Sequence, residues 1–117
     1  MFCLASLLVP LATLASGMFN TQRRRLVDLA SQGRLIAVYE HRQFPEAGGL
    51  ISYGPNLVDM QRRAAKYIDK ILRGAKPSDL PVEQANVFEL VINLKTAKAP
   101  GITIPQAVLL RADEVIQ

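Results

Sequence analysis

The fold is decided by the stretch YEHRQFPEAGGLISYGPN, residues 39–56. It follows an apolar run, LIAVYE (residues 35–40), and it carries three glycines and two prolines before a long amphipathic segment begins. Strands that end on polar or aromatic residues and lead into glycine-rich turns are where α/β proteins place their ligands. We therefore expect a strand end, a turn and a second short strand, LISYG (residues 50–54), at a ligand-binding edge of a sheet.

Helical and strand patterns alternate on both sides of this stretch. LIAVYE shows no polar–apolar alternation, which favours a strand covered on both faces. Upstream, NTQRRRLVDLASQG predicts a helix that Asn20 or Thr21 caps and Gly33 ends. Downstream, apolar residues spaced three and four apart predict a long helix over residues 56–73, which Gly74 ends.

The carboxy-terminal part continues the alternation. VFELVIN predicts a strand, and LKTAKA predicts a short helix capped by Asn93. PQAVLLRADEVI predicts a last helix with Pro105 in its first turn. Strands that alternate with helices indicate an α/β fold with a doubly wound, mainly parallel sheet flanked by helices.

The first seventeen residues, MFCLASLLVPLATLASG, contain no charged side chain. They are too short for a membrane span, which needs ~20 apolar residues. One interpretation is a secretory signal with Thr13, Leu14 and Ala15 at a cleavage site. The other is a buried strand, ASLLV or LATLA, whose partner strands are encoded upstream. We therefore divide the chain into an apolar segment, residues 1–17, and one domain, residues 18–117.

Composition limits the chemistry that the chain can perform. A length of 117 residues suits one domain, and the net charge of +4 is modest. The single cysteine, Cys3, excludes an internal disulfide. With one histidine and one cysteine the chain cannot assemble the usual zinc ligands, and we expect neither a metal nor a cofactor.

Two groups of polar residues are candidates for ligand binding. Asn20 and Thr21 lie where a loop becomes a helix, where side chains and free N–H groups can bind an anionic or carboxylate ligand; helix capping explains them equally well. Polar groups at the ends of two strands suit a small polar or zwitterionic ligand. Those residues are Tyr39, Glu40, Ser52 and Tyr53. Glu40 would pair with an ammonium group, whereas Tyr53 has the alternative of packing on the long helix.

Other motifs carry less information. His41 follows Glu40, but no nucleophile elbow accompanies the pair, so we do not predict an enzyme. The glycines match neither the dinucleotide fingerprint nor the phosphate-binding loop. The arginines at 23–25 and 62–63 read as solvated helix faces. The alternative is a small basic interaction module that binds nucleic acid.

Three segments carry a family resemblance: FNTQRRRLVDLA (residues 19–30), residues 37–84, and FELVINLKTAKA (residues 88–99). Together they resemble the carboxy-terminal part of the ABC-transporter substrate-binding proteins of the tryptophan and tyrosine uptake type. The resemblance spans about residues 18–117. Pro100 departs from it, because the family continues a helix there with an apolar residue; proline should end LKTAKA early.

The resemblance implies a type I periplasmic-binding fold, in which two α/β lobes close on a solute by hinge motion. It implies a periplasmic protein that delivers the solute, an amino acid or similar small molecule, to a membrane permease and performs no chemistry. Three places would line the cleft: the turn at residues 19–21, the strand end at Tyr39 and Glu40, and the turn at residues 52–54.

Members of that family are considerably longer than this chain. The resemblance therefore implies that the chain is truncated, that it carries only part of the fold, and that it binds weakly or not at all by itself. Exposed sheet edges and apolar faces left without their lobe would favour self-association.

Overall fold

The computed structural model describes residues 10–117, which form two compact units. The first unit runs to Gly54 and resumes over Glu89–Gln117, and the second is Pro55–Phe88. The segment ASLLV, one of the two strands proposed for the amino terminus, lies outside the described residues. No helix within residues 10–117 is both long enough and apolar enough to cross a membrane.

A five-stranded sheet organises the described residues. Its strands are β1 (Pro10–Ala12), β2 (Ile36–Tyr39), β3 (Ile51–Pro55), β4 (Phe88–Asn93) and β5 (Glu114–Ile116), side by side in chain order. The pairs β1–β2, β2–β3 and β4–β5 are parallel. The bonds from Asn93 N–H to the Leu50 carbonyl (2.8 Å) and from Asn56 N–H to the Val87 carbonyl (3.0 Å) make β3 and β4 antiparallel. The mainly parallel sheet is confirmed, with one antiparallel pair.

Six helices connect these strands within the described residues. They are α1 (Gly17–Thr21), α2 (Arg23–Gln32), α3 (Gln43–Glu46), α4 (Leu57–Leu72), α5 (Leu94–Lys98) and α6 (Gln106–Leu109), and a 3₁₀ turn spans Pro77–Asp79. Asn93 caps α5 as predicted, because its side chain accepts a bond from Thr96 N–H at 3.2 Å. The helix ends at Lys98, ahead of Pro100.

The helix predicted to start at Asn20 or Thr21 begins earlier. Ser16, in extended conformation, precedes α1, so Asn20 and Thr21 lie inside a helix and neither caps one. The chain bends at Gln22, whose N–H still bonds the Met18 carbonyl at 3.1 Å, and α2 starts at Arg23. The sequence pattern was misleading because Asn and Thr also occur within short helices, where their preference for caps is overruled by the surrounding backbone bonds.

The last predicted helix is wrong over most of its length. Only α6 is helical, and the chain then forms β5. Asp113 explains the change: its N–H donates to the Leu90 carbonyl at 2.9 Å, and its carboxylate accepts from Leu90 N–H at 2.7 Å. These bonds align the end of the chain with β4, and a non-local pairing therefore overrides a local helical pattern.

The two amino-terminal strands are more exposed than predicted. All three side chains of β1 are exposed, although LATLA was read as a buried strand, and β1 pairs with β2 of this same chain. In β2, Ala37 and Tyr39 are buried but Val38 is 39% exposed, so the strand is not covered on both faces. The cause for Val38 is its orientation, since alternate residues of a strand point to opposite faces.

The core of the first unit lies on the face of the sheet that α2 covers. Val27 and Ala30 of α2 contact Ala37 and Tyr39 of β2, and the ring of Phe44 stacks on that of Tyr39 with centroids 4.6 Å apart. Such a pair contributes about 0.5–1.5 kcal/mol beyond its buried area. A side chain at Gly49 would come within 2.7 Å of the Tyr39 ring, so this turn requires glycine.

The second unit contains α4 and the segment that follows it. Asn56 caps α4 by accepting from Asp59 N–H at 2.9 Å, and Tyr67 donates its hydroxyl to the Pro81 carbonyl at 2.7 Å. Arg63 pairs with Asp59 at 2.9 Å and with Glu83 at 3.5 Å. These contacts hold the polar side of α4 against residues 81–83. Apolar residues elsewhere on the helix are exposed, namely Val58, Met60, Ile68, Ile71 and Leu72.

Replacement of Gly54 by alanine should destabilise the first unit strongly. A β-carbon there would overlap the carbonyl oxygen of Glu40, so β2 and β3 would have to separate. We expect a loss of about 3 kcal/mol in the free energy of unfolding, as for severe overpacking, measured by urea denaturation. Gly17→Ala is the control, because nothing lies within 4 Å of its β-carbon position. Equal midpoints for the two variants would refute the close approach.

Candidate functional site

Polar side chains collect at one edge of the sheet, where the parallel strands β1, β2 and β3 end. Thr13 follows β1, Tyr39 ends β2 with Glu40 after it, and Ser52 and Tyr53 lie in β3. Because parallel strands present their carboxyl ends at the same edge, the chain brings these residues into one region. The antiparallel β4, and β5 parallel to it, begin at this edge.

Glu40 occupies the centre of this edge. Its side chain is buried, and its Oε2 atom accepts a hydrogen bond from the Thr13 hydroxyl. Thr13 is fixed in turn, since its N–H donates to the Val38 carbonyl at 3.1 Å. The second carboxylate oxygen, Oε1, is buried and has no partner among the described residues. One half of the carboxylate is thus held by the protein, and the other half is available to a donor.

Further buried polar atoms near this edge also lack a partner within the described part of the chain. They are Asn20 Oδ1, His41 Nδ1, Gln43 Oε1 and Ser52 Oγ. All belong to segments that follow β1 or β2, or to β3 itself. Leaving one buried polar group unpaired costs about 1–3 kcal/mol, so a concentration of them indicates a place where a polar ligand or ordered water binds.

The predicted residues of β2 and β3 divide between two faces of the sheet. Tyr39 and Ser52 are register partners and are 2% and 1% exposed. Because side chains alternate along a strand, Tyr53 points to the other face of the sheet, where it is 60% exposed. Glu40 follows the end of β2, and its bond to Thr13 places it beside the end of β1.

Asn20 and Thr21 behave differently from each other. Asn20 is half-buried with its Oδ1 atom unpaired, and its carbonyl accepts from Arg23 Nη1 at 2.9 Å. Thr21 is exposed and donates its hydroxyl to the Met18 carbonyl at 2.8 Å, so its proton is already used within α1. Of the two, Asn20 keeps a free polar atom and Thr21 does not offer its proton.

Arg42 lies beside this edge and bonds residues of three elements. Its guanidinium bonds Glu46 of α3 (Nε–Oε1, 2.8 Å), Glu89 of β4 (Nη1–Oε2, 3.5 Å) and Glu114 of β5. The hydrogen bond to Glu46 raises the pKa of Arg42; desolvation, the second-largest effect, lowers it, and the charges of Glu114, Glu46 and Glu89 each raise it. Burial raises the pKa of the Tyr39 phenol, so both groups keep their protons at neutral pH.

Sequence reasoning missed two residues of this edge. Thr13 was considered as part of a cleavage site, and its bond to Glu40 joins positions 27 residues apart, which no local pattern indicates. Gln43 lies in the first turn of α3, a helix of four residues that was not predicted. His41 was considered for catalysis; the structure gives it a buried, unpaired Nδ1 atom at the same edge.

The arginines that suggested a nucleic-acid surface are partly engaged within the chain. Arg23 bonds the Asn20 carbonyl, and Arg63 pairs with Asp59 and Glu83. Within residues 10–117, no group of three or more His, Cys, Asp or Glu side chains could hold a metal ion.

The sequence matches the family described as ABC transporter substrate binding protein over residues 8–116. The chain belongs to this family. The same fold occurs in the crystal structure of a conserved domain protein from Vibrio cholerae O1 biovar eltor, with a TM-score of 0.85 at 29% identity over 91% of this chain. It also occurs in an ABC domain from Streptococcus pneumoniae in complex with L-Trp, with a TM-score of 0.85 at 30% identity over 92% of this chain.

A more distant match is the ligand-free, open structure of a substrate-binding protein with adhesive properties from Clostridium difficile, with a TM-score of 0.61 at 19% identity. That likeness concerns the fold alone. This chain spans 36% of the length of each of these three solved chains. A search among curated proteins gives no significant match.

Replacement of Thr13 by valine should destabilise the chain by about 1–3 kcal/mol, because it leaves both oxygens of a buried carboxylate without a partner. The measurement is the urea midpoint at neutral pH. Thr103→Val, at an exposed position, is the matched control and should change the midpoint little. If both variants unfold at the parent midpoint, Thr13 does not hold Glu40.

Proposed function

We propose that this chain forms one wall of the binding cleft of an ABC-importer solute-binding protein, and that the solute is an amino acid or a similar small organic molecule. The observation that carries the proposal is the unpaired, buried Oε1 atom of Glu40 at the carboxyl edge of the sheet. A buried carboxylate oxygen favours a cationic donor, and an α-ammonium group supplies one. The L-Trp bound by the Streptococcus pneumoniae relative is a molecule of this class.

In this proposal each residue of the edge has a separate part. Glu40 accepts hydrogen bonds from the ammonium group, Tyr53 offers an exposed aromatic surface at the same edge of the sheet, and Asn20 adds a polar acceptor. Tyr39 and Ser52 act from behind: they are buried and fix the strands that present Glu40 and Tyr53. Thr21 contributes through the geometry of α1, since its hydroxyl bonds Met18.

Binding rather than catalysis is the function that these residues support. The reacting groups of a hydrolase would include a nucleophile beside a base, and the chain neighbours of His41 are Glu40 and Arg42, neither a serine nor a cysteine. We accordingly propose delivery of an unchanged solute to a membrane permease. The family and the proposed partner together favour a periplasmic location.

One wall by itself binds weakly. A solute held between two lobes loses half of its contacts when one lobe is missing, and this chain spans 36% of the solved relatives. Two exposed features favour association of the chain with itself: the outer edge of β1 and the apolar side chains of α4.

The isolated chain should therefore give no measurable heat with L-Trp or other amino acids in isothermal titration. Binding near 1 μM, about −8 kcal/mol, would contradict the expected loss. Sedimentation at rising concentration tests self-association in the same sample, and a monomer at all concentrations would count against it.

A chimaera tests the cleft itself. This chain would replace the matched part of the Streptococcus pneumoniae protein, which restores a second wall. We expect the chimaera to bind an amino acid, and Glu40→Gln to weaken binding about tenfold or more, because it removes the charge opposite the ammonium. Asp28→Asn on α2 removes an equal charge at an exposed position and should have no effect.

Two outcomes would refute the proposal: a folded chimaera that binds no amino acid from a full panel, or Glu40→Gln behaving like Asp28→Asn. The nucleic-acid alternative makes a separate prediction. It requires DNA binding that falls steeply with salt, whereas stabilisation by a solute at the cleft is nearly independent of salt.

A further inference from the structure

A cavity of about 370 Å³ lies in the first unit, and Glu40 is not among the residues that line it. It is lined by residues of α2 and β2, by the turn at Gly48 and Gly49, and by Thr96 of α5 with the residues that follow it up to Ile102. Its volume falls within the range of small-molecule sites, ~300–1,000 Å³. Of the six residues proposed from sequence for ligand binding, Tyr39 alone lines it.

The connection between β2 and β3 leaves this face of the sheet open. A full crossover helix would fill the space between α2 and α5, but α3 has only four residues. Gly48 and Gly49 follow it and line the cavity, and neither carries a side chain that could close it. Gly48 has φ +107°, a conformation that favours glycine, so a larger residue would be strained there.

The lining mixes apolar and polar surface, with the apolar part somewhat larger, and it includes one positive charge. Of the side chains that line the cavity, Arg34 alone is charged, and none of the ion pairs within residues 10–117 involves it. Thr96 also lines the cavity, but its hydroxyl donates to the Gly48 carbonyl at 2.8 Å. Arg34 and the exposed Ser31 are therefore the side-chain donors that remain for a ligand.

Arg34 also has an unusual backbone. Its φ is +50°, in the left-handed region, and among the described residues it is the one residue other than glycine with a positive φ. Such a conformation costs a residue with a β-carbon about 1–2 kcal/mol, and glycine or asparagine would end α2 at lower cost. Ending the helix therefore does not explain why this position is arginine and not glycine or asparagine. A requirement for a positive charge at the rim of the cavity does explain it.

We propose that this cavity is a second binding site, for a small apolar carboxylate. The apolar body of the ligand packs on Leu35, Pro100 and Ile102, and its carboxylate bonds the guanidinium of Arg34. A planar guanidinium suits a carboxylate because two parallel hydrogen bonds form at once. The site is independent of the proposed amino-acid cleft, which depends on Glu40 at the carboxyl edge.

The test uses the isotopically labelled full chain and two probes of the same shape, phenylacetate and phenylacetamide. At about 10 mM probe, enough to detect affinities near 1 mM, we expect phenylacetate to shift the backbone amide signals of Ala37, Gly49 and Ile102. Phenylacetamide should bind about tenfold more weakly, because it lacks the charge that Arg34 recognises.

Variants separate the charge from the cavity. Arg34→Asn keeps a residue that tolerates the left-handed backbone and should remove the preference for phenylacetate. Ala30→Leu fills the cavity and should weaken both probes. Arg24→Gln, an exposed arginine of α2 that does not line the cavity, should bind as the parent does.

Equal affinities for the two probes would overturn the proposal, as would equal effects of Arg34→Asn and Arg24→Gln. Signals that do not move, or that move only around Glu40, would overturn it as well. Signals that do not move are the result expected if a protein segment, and not a small molecule, fills the cavity. None of these results bears on the chimaera, whose binding depends on Glu40.

Discussion

The close approach of β3 to the end of β2 is the constraint on which the candidate site depends. The strands pair in parallel with Tyr39 opposite Ser52, and two residues later Gly54 passes so close to the Glu40 carbonyl that no side chain fits. This contact fixes where Glu40 and Tyr53 stand, because each is adjacent in sequence to a residue of the pair. Tyr39 then anchors the arrangement through its stack on Phe44 and its burial under α2.

A concentration of unpaired buried polar atoms is costly for stability, and its position is therefore informative. Each such atom costs about 1–3 kcal/mol, a sizeable part of the 5–15 kcal/mol by which domains are stable. Elsewhere in the described chain, buried polar groups are paired: Asn93 donates its amide to the Pro45 carbonyl at 2.9 Å, and Glu89 pairs with Arg42. Proteins commonly accept this cost at sites of function.

The sequence predicted correctly those helices whose caps and apolar spacing lie within the helix or next to it. Helix α4 has its cap at Asn56 and a regular apolar spacing, and α5 begins at Asn93 and ends before Pro100, so both follow from neighbouring residues. The strand β5 does not, because Asp113 aligns it by bonds to Leu90, 23 residues away. For the same reason a reading of the sequence does not point to Thr13, whereas Glu40 is a candidate from the sequence because it follows an apolar strand.

The two sides of the first unit differ in what they can recognise, and the difference follows from charge. At the carboxyl edge the unpaired group is a carboxylate, so this edge favours a cationic part of a ligand. In the cavity beside α2 the unpaired group is a guanidinium above apolar walls, which favours the anionic end of an apolar molecule. A zwitterionic amino acid carries its ammonium and carboxylate groups on the same α-carbon, so the two charges lie close together. Glu40 does not line the cavity that Arg34 lines, so the two proposed sites select different ligands.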